Sequence, residues 1–277
     1  MKIEKKKILR FLSLCLYFIA AFLVFVVLQF PFDRVKSRIE SEVRARTPLE
    51  LSITRITARF LNRFTLVDVV LSDRTGRVLF ESSAIKAHLS LLGFLRGLAV
   101  MDFSGPAYDG ELTVKAEQGP KRNLWSVDAS GLNLTNYKLL KLMGYKIAGT
   151  MGGNFDMNNG SGKGRIWFKN LASRELKVMG FPVPDLDFEQ GWIDAEVKGD
   201  RLMVRKFELD GKELKVKASG DVVLRERGTM NLAIKFKPSE RLAQEQAGLL
   251  SLVKNKDPEG FYQLTLGGTV SEPMPRL

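Results

Sequence analysis

The chain has 277 residues, 45% of them apolar and 27% charged; this balance excludes a disordered protein and leaves room for one large domain or two small ones. The net charge of +12 is largely spread along the chain, which suits anionic lipid headgroups or acidic partners. With no recognisable binding module, it argues against nucleic acid. The single cysteine, Cys15, excludes disulfides, thiolate metal sites and a cysteine nucleophile from the remainder of the chain.

The first element is an apolar run. Lys2, Lys5, Lys6, Lys7 and Arg10 stand against Glu4, and Phe11 to Phe30 carries no charge. Ile8–Phe30 as a helix is about 34 Å long, enough for a hydrocarbon core of about 30 Å. A cleaved signal has a shorter apolar region and a small-x-small site. Here the run ends in "VVLQFP", and Cys15 lacks the small neighbours of a lipoprotein site. The expected organisation is therefore a basic tail (1–7), a retained anchor (8–30), a juxtamembrane helix (31–48) and a β domain (49–277).

Lysines and arginines tie on the two sides of the uncharged run 11–30, five on its N-terminal side and five in 31–46. The form of a basic tail followed by an apolar run places the N-terminus in the cytoplasm and the body outside. Val35, Ile39 and Val43 recur every fourth residue before Pro48, which predicts a short helix with one apolar stripe. That helix either lies on the membrane or caps the domain behind it.

From Leu49 the period changes to two. "LELSI", "LVDVVLSD", "RVLFES", "ELTVKAE" and "ELKVKAS" alternate, with turn residues such as Thr75-Gly76 and Asp109-Gly110 between such runs. In the last third, Leu214, Val216, Leu232, Ile234, Phe236, Leu264 and Leu266 share one apolar face, opposite Lys215, Lys217 and Ser219. Those seven are the candidate lining of an apolar groove. "GTMGGNFDMNNGSGKG" reads as a hairpin, because Phe155 and Met157 still alternate. Three helical interruptions are predicted: around "HLSLLGFLRG", around "TNYKLLKLMG" with Thr135 as N-cap and Gly144 as stop, and after Ser239 in "PSERLAQEQAGLLSLVK". No βαβ alternation appears, so the expected fold is mainly β, an antiparallel meander.

Candidate chemistry is thin. The sole histidine, His88, shares a wet face with Lys86 and Ser90. "NGSGKGR" lacks the Ser or Thr and the helix that a phosphate loop requires. Asp185, Asp187 and Glu189 alternate in "PDLDFEQG" and could hold a cation or an acid/base pair, but the pattern is also that of an ordinary wet face opposite Leu186 and Phe188. No catalytic, metal or cofactor-binding residues are assigned, no cofactor is implied, and the expectation is a non-enzyme.

The order of features also carries a resemblance. "PFDRVKSRIESEVRARTPLELSITRIT", "FTLVDVVLSDRTGRVLFE" and "IKAHLSLLGFLRGLAVMDF" resemble the N-terminal region of the AsmA-like superfamily. "LTNYKLLKLMGYKIAGTMGGNFDM" and "FYQLTLGGTVSEPMPRL" resemble the type II secretion system protein N (GspN) family. The resemblance covers nearly the whole chain but rests on apolar, Gly and Pro patterns, with no catalytic signature. It implies a single-pass inner-membrane protein with a periplasmic body, an accessory component of type II protein secretion whose partners are other subunits of that machine. The AsmA-like relatives imply a curled, taco-shaped sheet and, as the alternative function, binding or transfer of phospholipid in its groove.

Overall fold

The change of period at Leu49 is where the sheet begins. A computed structural model describes residues 31–276 apart from 61, 91, 94, 95, 143, 176, 179, 180, 183, 226, 227, 252, 254 and 270–272, together with 13, 14, 17 and 18. The anchor expected at 8–30 otherwise lies outside the described residues; Ser13, Leu14, Tyr17 and Phe18 are helical and exposed. Among the described residues no helix is long and apolar enough to cross a membrane.

Helix α1 (Phe32–Arg46) precedes strands β1 (Leu49–Phe60), β2 (Arg63–Asp73), β3 (Val78–Leu89), β4 (Ala99–Ala107), β5 (Gly110–Gly119) and β6 (Arg122–Asn133). A 3-10 turn (Leu134–Asn136) and α2 (Lys138–Leu142) lead to β7 (Lys146–Asn158) and β8 (Ser161–Arg174). A small hairpin, β9 (Lys177–Val178) and β10 (Phe181–Pro182), precedes β11 (Leu186–Lys198), β12 (Arg201–Gly211), β13 (Leu214–Val223) and β14 (Met230–Pro238). Then come α3 (Glu240–Glu245), α4 (Ala247–Leu250), β15 (Tyr262–Gly268) and β16 (Pro273–Arg276). Fourteen strands form one antiparallel sheet in strict chain order, with β9–β10 set apart as a separate pair. The fold is therefore the antiparallel meander that the alternation predicts.

Such a meander places its connections at two ends. At one end lie the turns β1–β2, β3–β4, β5–β6, β7–β8, β11–β12, β13–β14 and β15–β16. Most are tight: at β7–β8 the turn residues are Asn159 and Gly160, with φ of 48° and 81°, the left-handed pair of a two-residue hairpin. The other end carries the long connections: residues 134–145 with α2, 175–185 with the β9–β10 hairpin, and 239–261 with α3 and α4. Helix α1 starts at the tight-turn end, where Phe32 packs edge-on against Phe64 at the start of β2, ring centroids 6.4 Å apart.

Both sheet edges are protected. The Glu40 carboxylate of α1 accepts a hydrogen bond from the Ile53 N–H at 2.9 Å, and Lys36 Nζ donates to the Thr54 carbonyl at 3.4 Å. The helix thus occupies edge groups of β1 that would otherwise pair with another chain. It caps the domain: Phe32 and Val35 pack on Ile53, Ile56 and Val69. At the far edge, β16 contains Pro273 and Pro275, which have no N–H to offer.

The capping details refine the expectations. Asn133, rather than Thr135, caps the turn after β6, its side chain accepting from the Thr135 N–H, because Asn133 precedes the turn and its carboxamide reaches two residues on. Ser239 caps α3 as expected, with Oγ accepting from the Leu242 N–H at 3.2 Å. The helical run then breaks between Glu245 and Ala247. In the β3–β4 connection only Leu92 and Gly93 are helical among the described residues.

Candidate functional site

The sheet register assembles something that no single strand shows. On one face, Ala58, Phe64, Ala87, Phe103, Val114, Val127 and Phe155 are direct cross-strand partners in succession. The row continues through Gly164, Ala195, Val204, Gly220, Leu232, Leu266 and Pro275. Every strand of the sheet contributes one residue, and none is polar. All fourteen are half-buried, neither sealed in a core nor fully exposed.

A second apolar row runs beside the first, from Gly105 and Leu112 through Ala129, Gly153, Ile166, Ile193, Phe207 and Ala218 to Ile234 and Leu264. A third flanks it toward the tight-turn end: Leu89, Met101, Ala116, Trp125, Met157, Gly162, Val197, Leu202, Val222 and Met230. A fourth lies toward the long-loop end: Leu132, Met151, Phe168, Gly191, Leu209, Val216, Phe236 and Tyr262. With strands about 4.8 Å apart and same-face residues about 6.7 Å apart, the four rows cover on the order of 60 Å by 20 Å. A soluble monomer seldom exposes an apolar patch above a few hundred Å².

The opposite face is wet. Thr57, Thr65, Lys86, Ser104, Thr113, Asp128, Asn154, Arg165, Asp194 and Lys206 form its matching row. Ion pairs cross it, as where Arg165 holds both Asp194 carboxylate oxygens. That contact pulls the Asp194 pKa below the ordinary carboxylate value. A solvated face opposite an apolar one makes this sheet amphipathic along its whole length.

Bulges keep the apolar face continuous. Where the register shifts, the face steps by three residues instead of two: Ala129 to Leu132, Val204 to Phe207, Phe168 to Leu171, and Phe188 to Gly191. Asn170, with φ 50°, and Gly149, with φ 129°, mark the paired irregularity in β8 and β7. Bulges of this kind bend a strand and add twist.

Cover is partial. At the long-loop end, Leu242 of α3 is buried with Leu186 and Phe188, against Leu171, Leu209, Leu214 and Val216. Of the seven candidate lining residues, Leu214 and Val216 thus lie beneath α3. Leu232, Ile234, Leu264 and Leu266 pair as two direct cross-strand couples in the open rows, and Phe236 stacks on Tyr262 with centroids 5.5 Å apart. Helix α1 covers the other extremity, leaving a cavity of about 200 Å³ lined by Val35, Ile39, Phe64, Leu66, Met101 and Phe103. Toward the tight turns an open pocket of about 800 Å³ is lined mainly by wet-face residues, among them Asp102, Lys115, Asp156, Lys163 and Glu196, with Trp125, Met157 and Val197 of the apolar face at its border.

The chemistry-bearing residues do not converge. His88 sits on the wet face between Arg63 and Asp102, its Nε2 2.9 Å from Asn62. Asp185 and Asp187 both lie against Arg174, at 3.7 and 2.5 Å, and Glu189 faces Lys212 at 3.8 Å. These acids are exposed members of ion pairs. Among the described residues no cluster of three or more His, Cys, Asp or Glu could hold a metal.

Comparison of the chain with models of known protein families, with characterised proteins and with solved structures finds no significant match.

Proposed function

We propose that this chain is a non-catalytic, membrane-anchored protein whose sheet curls along its bulged strands into a groove that holds lipid acyl chains. One observation carries the reading: the fourteen-strand apolar row, half-buried in every strand. A face destined for the core would be buried by a second layer, and here short helices cover its margins. Whatever part of this face is left to water costs on the order of 25 cal/mol per Å², so the face calls for an apolar occupant. Acyl chains fit, because the rows offer hydrophobic contact without directional polar groups. The anchor at 8–30 would place the groove on the inner membrane with its body in the periplasm.

A second reading is favoured by the sequence patterns "LTNYKLLKLMGYKIAGTMGGNFDM" and "FYQLTLGGTVSEPMPRL": an accessory component of type II protein secretion. The two are separable. Lipid analysis of the purified full chain tests the groove: bound phospholipid is expected, depleted by Ile234→Asp, where an unpaired charge would be forced against acyl chains, and retained by Ala233→Asp on the wet face. A parent free of lipid would refute the groove. Deleting the gene and following exported proteins tests the second reading: folded cargo held in the periplasm supports it, and normal export counts against it.

A further inference from the structure

We infer that one corner of the sheet, the tight-turn end of β1 to β6, is a docking surface for the anionic phospholipid headgroups of the membrane that holds the chain. The inference rests on the anchored reading above and adds a specific contact surface to it. Three connections meet at this corner: residues 59–63, 90–98 and 119–122. Together they hold five basic residues, Arg59, Arg63, Arg96, Lys121 and Arg122, and no acidic one.

Proximity sets these cations apart. Elsewhere some arginines sit on carboxylates, as Arg77 on Asp73, Arg165 on Asp194, Arg205 on Glu196 and Arg241 on Glu213, and others, such as Arg55 and Arg201, stand exposed and singly without an ion pair among the described residues. At the corner Arg122 reaches Glu117 at 3.1 Å, while Arg59, Arg63, Arg96 and Lys121 are exposed and have no ion-pair partner among the described residues. Four unneutralised cations within three adjacent hairpins make a local field that attracts anions. Arg59, Arg63, Lys86 and His88, with Asp102 as the acid present, also border an open pocket of about 800 Å³, room for a phosphate-bearing headgroup.

Apolar side chains stand among these charges. Leu92, in the β3–β4 connection, is 69% exposed, and Trp125, beside the β5–β6 turn, is 41% exposed. Trp125 directs its indole N–H to Asn123 at 2.7 Å. Leucine and tryptophan among lysines and arginines are the composition of an interfacial membrane contact. The occupant follows from chain continuity. Phe32 packs on Phe64 at this same corner, so the chain enters the described domain here, directly after the apolar stretch of the sequence. A bilayer holding that stretch would lie against these turns and not against the long loops.

The test uses the full chain with Cys15→Ser, carrying an environment-sensitive fluorophore at Leu92→Cys or, as control, at Lys212→Cys in the β12–β13 turn. The protein is placed in lipid nanodiscs of phosphatidylcholine with or without phosphatidylglycerol, containing a headgroup-labelled quencher. Quenching at position 92 should far exceed that at 212, rise with phosphatidylglycerol, and weaken with sodium chloride. Reversing Arg59, Arg63, Arg96 and Lys121 to Glu should weaken docking by at least about tenfold, since each basic residue near an anionic surface contributes a several-fold factor. Equal quenching at the two positions, or indifference to phosphatidylglycerol and salt in the unreversed protein, overturns the inference. So does release by inorganic phosphate beyond that caused by chloride of equal ionic strength, which would mark a free-anion site. A chain that elutes apart from the discs fails at the anchor instead, and the docking falls with it.

Discussion

Phe155 lies across Gly164 on the facing strand: a Cβ at Gly164 would stand 2.8 Å from the Phe155 Cα and 2.5 Å from its ring. The glycine is therefore a spacing element of the apolar row. Gly164→Val should cost about 1–3 kcal/mol as an overpacked site, read as a lower urea midpoint with an unchanged m-value. A wild-type midpoint would show that the Phe155 ring and the facing backbone at Asn154 and Phe155 give way freely.

The roof over the long-loop end rests on Leu242, which is 6% exposed among Leu186 and Phe188. Leu242→Ala should cost about 2–5 kcal/mol. Ser239→Ala, which removes the cap hydrogen bond, should cost about 1 kcal/mol. Thermal melts of both variants would show the order; equal, small losses would mean that α3 is not seated.

Stability should fall at high pH through Tyr108. Burial raises its pKa from the ordinary 10.0 to about 12, so the folded state keeps a proton that the unfolded state releases. The contribution is complete below the ordinary tyrosine pKa and is lost as pH climbs through the folded value. Tyr108→Phe should flatten that alkaline loss in melts across the range. An unchanged alkaline slope would assign it to other groups.

On the acid side, Asp257 is held below the ordinary carboxylate range, chiefly by the Phe261 N–H, with Lys235 adding to it. Its Oδ1 accepts from Phe261 at 2.9 Å and its Oδ2 from Lys235 at 3.2 Å. A depressed pKa gives stability that is present above the ordinary value and lost as pH falls through the folded one. Asp257→Asn should therefore lower stability at neutral pH and reduce its further loss on acidification. A variant with the parent's acid profile would contradict this.

His88, Asp185, Asp187 and Glu189, replaced singly by Ala, should each change stability within about 0.5 kcal/mol, and the three acids should leave function intact. They are exposed or half-exposed on the wet face or in the loop before β11. Loss of function at normal abundance for any of the three acids would reopen the enzyme reading.

Much of the sheet was legible because alternation is local. Leu214 and Val216, or Leu232, Ile234 and Phe236, declare their face within a few residues. The continuity of that face was not. Gly164, Gly153 and Gly220 sit in the apolar rows yet carry no hydrophobic signal. The three-residue steps at Ala129–Leu132 and Val204–Phe207 break the period that marks a strand, because a bulge is set by its partner's register. The basic corner escaped for a related reason. Arg59, Arg96 and Lys121 are far apart in sequence and meet through the order of the hairpins, while a charge count along the chain sees a diffuse excess. Partial cover was likewise invisible: nothing in "LKVKAS" says that Leu214 and Val216 lie under α3 while Ile234 does not.

The central claim is that the apolar face is occupied by lipid, and site-specific photocrosslinking in cells tests it most directly. A photoreactive amino acid at Val114 in the middle of the row should form adducts with phospholipid, identified by mass spectrometry of the purified protein. The same amino acid at its neighbour Thr113, one residue along β5 and facing the opposite way, should not. Adducts at 114 and not at 113 are the result this account predicts. No lipid at 114, or equal yields at both positions, would contradict it and leave the apolar face to another partner.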